Sequence, residues 1–243
     1  MERIVEPELL DMLPWDHPQA RQSRADLRLV NTLMNNSKFL AQQLLDHLPL
    51  MRATKPRLRL VEIGAGDGTV LLAVAKRLKK HGISAHVTLI DNQPVFADAT
   101  REAFADIGWT VDPVIADVLT DLEAVVPEAD AVIANMFVHQ FNDADLRRIL
   151  AQVSERTNLL VMCEPRRSRP VLMAGSLLWL LGCCEVTRHD GDASIRAGFR
   201  DHELSRLWPQ PGDWELMERP ANLFNHGFVA RRRIRMEHLR KAP

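Results

Sequence analysis

Three glycines at alternate positions, Gly64, Gly66 and Gly68, separate a short apolar run, Leu58 to Ile63, from a stretch with helical spacing. Leu71, Leu72, Val74, Ala75 and Leu78 carry that spacing. Glycine in a strand-to-helix turn permits positive φ and lets a ligand approach bare backbone. The helix that follows points its free N–H groups at the same spot. A dinucleotide fingerprint would need its third glycine where Thr69 stands. Glu62, at the strand end, would repel a pyrophosphate but suits a ligand carrying a positive charge or an ammonium group. The residues thus favour a small-molecule nucleotide site, against the plainer alternative of a structural turn.

Further polar residues fall where other apolar runs end. Asp91 closes the run Val87 to Ile90, and its acid suits two ribose hydroxyls. With Asn92 and Pro94 it also suits the start of a helix expected from about Pro94 to Phe104. Asp117 and Val118 follow a third strand, Val111 to Ala116, and an acid there serves as a ligand or a cap. Asn135 and Met136 end the fourth, Ala131 to Asn135, just before His139. An imidazole at that place is a general base, a helix cap or a pocket wall. After a fifth strand, Asn158 to Cys163, the loop Glu164-Pro-Arg-Arg-Ser168 offers Arg166 and Arg167 as a solvated pair or as a grip on an acidic or phenolate group. His189-Asp190, read as part of a glycine-containing loop, is the best local acid/base pair, although adjacent residues rarely face each other. His226 reads as structural.

The E-x-G-x-G-x-G pattern of Glu62 to Gly68 resembles the first motif of class I S-adenosylmethionine-dependent methyltransferases, and Ala134 to Phe141 resembles their A-N-x-x-L-H-H-F segment. The resemblance covers about Leu58 to Arg231. The segments E-P-R-R-S, T-R-H-D and A-G-F-R also look like bacterial methyltransferases of natural-product pathways. It implies S-adenosylmethionine as cofactor and S-adenosylhomocysteine as product. Gly64, Ala65, Gly66 and Gly68 would shape the methionine pocket, with Glu62 acting near the loop through water. Asp91 and Asn92 would hold the ribose, Asp117 and Val118 the adenine, and Asn135 and Met136 would complete the set. His189 and His139 are the candidate catalytic bases, and no metal is implied. The absence of an N-P-P-Y type motif argues against bases of nucleic acid and glutamine amides as acceptors. The expected reaction is methylation of a small, largely apolar acceptor at a phenolic or enolic oxygen. Carbon methylation, other chemistry on the same cofactor, a non-catalytic partner subunit and an NAD-dependent oxidoreductase stand as alternatives.

The elements that must position these residues are those of an α/β fold: a Rossmann-like, doubly wound, seven-stranded sheet with a C-terminal antiparallel hairpin. The hairpin is expected at a sheet edge, from Trp214 to Arg219 and Leu223 to Arg231. Residues 1–54 read as an N-terminal helical lid or appendage and 55–243 as the methyltransferase domain. Within the first part, residues 1–18 read as an extended lead-in. Leu27, Val30, Leu33, Met34, Leu40, Leu44, Leu45 and Leu48 form a stripe over two helices that break near Asn35-Asn36-Ser37, ending before Lys55-Pro56. Val171 to Cys184, apolar on every face, is expected as a buried helix or the wall of a pocket for a greasy acceptor. It is too short to span a bilayer, leaving peripheral contact open. The basic stretch from Arg231 reads as a solvated end or a phosphate contact.

At 243 residues with 46% hydrophobic and 26% charged content, the chain has a core's worth of apolar residues. Its net charge of −1 gives no pull toward nucleic acid. Three cysteines form neither a disulfide framework nor a zinc pattern, and no signal peptide is read at the start, so a reducing cytoplasm is expected. Tyrosine is absent and drops out as a catalyst.

Overall fold

The computed structural model describes residues 1–47, 57–175 and 178–233, and only the backbone of Leu178 and Trp179. Leu48, Lys55-Pro56, the boundary between 54 and 55, Ser176-Leu177 and the basic end beyond Arg233 lie outside these residues.

Seven strands form one sheet in the order β3-β2-β1-β4-β5-β7-β6. The first five, β1 (Leu58–Ile63), β2 (Ala85–Asp91), β3 (Thr110–Ile115), β4 (Ala131–Asn135) and β5 (Leu159–Pro165), run parallel. β4 and β5 are buried along their whole length. That is why their sequences read as continuous apolar runs rather than alternations. The strand order reverses between β1 and β4, and the crevice outside their carboxyl ends is where such sheets take ligands. β7 (Asn225–Arg232) pairs antiparallel with both β5 and β6 (Trp214–Pro220). The hairpin thus forms one end of the sheet, as expected, with β6 outermost and β7 joining it to β5.

Helices cover both faces. On one, α3 (Asn36–His47) lies against β4, β5 and β7 with α4 (Thr69–Lys79) beside it, and their Leu40, Leu44, Leu71 and Leu78 join one core with Leu60 of β1 and Val87 of β2. On the other, α7 (Asp143–Arg156) packs Leu146, Ile149, Leu150 and Val153 over β4 and β5. Two short helices, α5 (Asp98–Asp106) and α6 (Leu122–Val125), link the strands between. Helix α1 (Leu9–Met12) interrupts what was expected as an extended lead-in, and α2 (Pro18–Met34) leads to α3. The break falls at Asn35, which takes a left-handed conformation with φ 55°.

Three local expectations change. Helix α5 begins at Asp98, not near Pro94, because Asp91 spends its carboxylate on the turn before it. Val171 to Cys184 is not one buried helix: α8 (Arg169–Gly175) is followed by a 3-10 turn over Leu178–Leu181, and Met173, Leu180 and Leu181 are exposed. His189 lies in a helix, α9 (Glu185–Ala197), rather than a loop. That helix buries Val186, Thr187, Asp190, Ala193, Ser194 and Ala197, a face with helical spacing of which half is polar. Apolar periodicity alone does not reveal such a face. A last helix, α10 (Glu203–Leu207), precedes β6.

Candidate active site

The glycine loop has two kinds of glycine. All three adopt positive φ, 66° at Gly64, 55° at Gly66 and 75° at Gly68. A Cβ at Gly64 would stand 2.1 Å from the ring of Phe137, and one at Gly68 would stand 2.8 Å from Leu89. Those two positions are closed by packing. A Cβ at Gly66 would meet nothing within 4 Å, so the loop offers its open backbone there. The Gly66 N–H donates to Asp91 Oδ2 at 2.7 Å, while Asp91 Oδ1 accepts from Gln93 N at 2.9 Å. Ala65, buried, ties the loop to β2 through Ile90 O at 3.0 Å. Asp67 caps α4 through Thr69 and accepts Arg28 from α2 at 2.8 Å, which lays α2 across the loop.

Two acids here are held away from their ordinary charge balance. Burial first, and then Asp67 and Asp91, push Glu62 well above the usual carboxyl range. Its Oε2 is fully buried without a hydrogen-bond partner, an expensive arrangement for a polar atom. Asp91 is raised as well, by burial above all, against the backbone N–H groups and Arg24 that lower it. A cationic or ammonium-bearing ligand beside these carboxyls would favour their ionised forms. Asn92 is exposed next to Asp91. After β3, Asp117 is exposed and closes its own turn by accepting Leu119 N at 2.8 Å, whereas Val118 is buried. The Ala116 N–H donates to Asp91 O, which brings the β3 end beside the β2 end.

At the β4 end, Asn135 Oδ1 accepts from Asn36 Nδ2 at 3.0 Å, and Met136 takes φ 52°, a strained conformation for a side-chain-bearing residue. The strain has a visible cause. Glu164, completely buried at the end of β5, accepts the N–H groups of Phe137, Val138 and His139 at 3.1 to 3.3 Å. It also bonds His139 Nδ1 at 2.8 Å. The other ring nitrogen, Nε2, lies 3.1 Å from Glu8 Oε1, so the imidazole sits between two carboxylates. Burial would lower its pKa, but Glu164 and Glu8 outweigh this and raise it to about 9. Both ring nitrogens of His139 are thus committed to carboxylates. This geometry speaks against His139 as a general base, since neither nitrogen is free to accept a proton from an acceptor.

His189 fares differently. Its side chain is 50% exposed on α9, with Nδ1 3.0 Å from its neighbour Asp190. Asp190 is occupied in capping α1, accepting Leu9 N at 2.8 Å and Leu10 N at 2.9 Å. Arg167 is neither solvated nor a substrate grip. It is buried, bonded to Gly198 O, Glu203 and Met1 O. His226 is paired with Glu218 at 2.9 Å, a buried structural contact.

Sequence reading missed Glu8, Asp11 and Glu164. Asp11 is exposed as a residue, while local desolvation of its carboxyl, with Glu8, Asp190 and Asp91 nearby, raises it to about 6. Glu164 carried one usable signal: a carboxylate directly after a fully apolar strand. Glu8 carried none, because only the fold brings it to His139. Among the described residues there is no cluster suited to hold a metal ion.

Residues 60–158 match the family described as a methyltransferase domain. No curated protein matches the sequence. Among solved structures, the plantazolicin methyltransferase BpumL in complex with SAH superposes with a TM-score of 0.61 at 13% identity, over 90% of this chain and 92% of that one. An O-methyltransferase family protein from Burkholderia thailandensis gives 0.57 at 16% identity, over 90% of this chain and 63% of that one. The dimethyltransferase RosA from Streptomyces davawensis gives 0.54 at 17%, over 93% and 62%. At these identities the superpositions speak for the fold, a Rossmann-like methyltransferase sheet.

Proposed function

We propose that this chain, an S-adenosylmethionine-dependent methyltransferase by its domain and fold, transfers its methyl group to a small acceptor with a largely apolar body, at a phenolic or enolic oxygen. The observation that carries the reading is the open backbone at Gly66, bonded to Asp91 and close along the chain to Glu62, whose buried Oε2 has no hydrogen-bond partner. When bound, the donor supplies an electrophilic methyl on a sulfonium, with S-adenosylhomocysteine as product. Gly64 and Gly68 keep the loop's shape, and Gly66 and Ala65 give it a backbone surface for the methionine part. Asp91 and Asn92 hold the ribose. Asp117 and Val118 flank the adenine, while Glu62, Asn135 and Met136 close the methionine end.

The protein's main contribution is alignment for an in-line displacement. With His139 clamped and His189 largely solvated, proton removal falls to another group or to an acceptor already acidic enough to ionise. Asp11, in the short helix held by Asp190 and close enough to Asp91 and Glu8 to feel their charge, is the carboxylate placed for that task. The exposed Met173, Leu180 and Leu181 follow the carboxyl end of β5 and give an apolar acceptor a matching surface. One structural relative belongs to an O-methyltransferase family, which supports oxygen as the nucleophile.

A second reading is favoured by charge. Asp11 has Glu8, Asp190 and Asp91 acting on it, a group of acids that suits an amine. RosA is described as acting on 8-amino-8-demethyl-D-riboflavin. A paired panel of phenols and aryl amines, followed by S-adenosylhomocysteine release and product mass, tests the choice. Turnover of phenols with loss of activity in Asp11→Asn supports the oxygen reading. Turnover of amines alone overturns it.

A further inference from the structure

The stretch before α2 is stitched down along its length. Arg3 donates to Ala197 O at 2.8 Å, to His139 O at 3.0 Å and to Phe141 O at 2.8 Å, and pairs with Asp143. Ile4 N donates to Arg196 O, and Asp190 receives the N–H groups of Leu9 and Leu10. In the middle of this seam is Glu8. One oxygen meets His139 Nε2 and the Ser194 hydroxyl, and the other accepts Gln140 Nε2 at 3.2 Å.

A continuous line of contacts runs from Glu8 to the glycine loop. Glu8 holds one side of the His139 ring and Glu164 holds the other. The same Glu164 carboxylate fixes the N–H of Phe137. The Phe137 ring in turn occupies the space that a side chain on Gly64 would need. Every link is a short polar contact or direct packing, and His139 and Glu164 are 2% and 0% exposed. Water therefore has little access through which to replace a lost partner.

We propose that Glu8 is a positioning residue for methyl transfer: with Glu164 it clamps His139, and through Phe137 this clamp sets the shape of the donor loop at Gly64. The N-terminal segment then belongs to the working centre. Glu8 acts through other residues and touches no reacting atom. This rests on the glycine loop being the donor site, as proposed above.

The test compares wild type, Glu8→Gln, Glu8→Asp and the exposed-site control Glu6→Gln. S-adenosylhomocysteine affinity is followed by calorimetry and the His139 pKa by NMR, at a temperature where each is folded. Groups that face the ring or its clamp, namely Glu8, Asp11, Glu164, Asp190, Arg3 and His189, remain in all forms except for the changed one. In Glu8→Gln the His139 pKa should fall by about one unit or more. Donor-product affinity should weaken about fivefold, with Glu8→Asp between it and wild type and Glu6→Gln unchanged. An unmoved His139 pKa would overturn the clamp. A lowered pKa with unaltered affinity and kcat would reduce Glu8 to a brace and overturn its positioning role. Should Glu8→Gln fail to fold, Ser194→Ala removes one partner of Glu8 and must show both changes on a smaller scale, or the proposal falls. Absence of binding by wild type would instead remove the donor-site reading beneath it.

Discussion

The two halves of the site are built on different principles. The half around Gly64 to Asp91 is local: strand, loop, helix and strand follow one another within about thirty residues, and each turn is set by glycine or a capping carboxylate. The half around His139 is assembled from afar. Glu8, Glu164 and Ser194 converge on it from three separate parts of the chain, bringing charge into the interior. The first kind of site is held by backbone conformation and the second by electrostatics. They should therefore fail under different insults.

The largest contrast is expected between two glycines. Gly64→Ala drives a Cβ into Phe137 at positive φ, and should cost about 3 kcal/mol or more in urea unfolding. Gly66→Ala carries only the backbone strain, about 1 kcal/mol, but should weaken S-adenosylhomocysteine binding at least about tenfold. Equal stability losses at both positions would break the distinction between packing and binding glycines.

In the electrostatic half, Glu164→Gln leaves the charged ring and three N–H groups facing a weaker acceptor. A loss of about 3 kcal/mol is expected by chemical denaturation. The pH dependence has a definite sign. His139 is raised from 6.5 to about 9, so its stabilisation is fully present below about pH 6.5 and is lost as pH rises through about 9. Melting temperature should fall across that upper window, and His139→Gln should flatten the slope. A slope unaltered by that substitution would contradict the clamped imidazolium. The smallest effect is expected at His189→Ala. On a half-exposed helix face it should leave kcat within about twofold.

This division also explains what the sequence disclosed. The glycine loop, α4 with its five buried apolar residues, and the runs that became β1, β2, β4 and β5 declare themselves within short windows. The break at Asn35 was equally legible, since asparagine tolerates the left-handed conformation found there. Helix α9 was misread because Thr187, Asp190 and Ser194 occupy its buried face, and their burial depends on distant partners such as Asp26 and Glu8. His139 was noticed, but its role turned on Glu8 and Glu164, 131 and 25 residues away. Spacing along the chain carries no trace of such a contact.

The most direct test of the central claim is calorimetric titration of the folded protein with S-adenosylhomocysteine, using NAD as the control ligand. Micromolar binding of the first alone, abolished in Asp91→Ala while the melting transition persists, is the predicted result. No binding to the folded wild type, or binding that survives Asp91→Ala unchanged, would contradict the placement of the donor at the glycine loop.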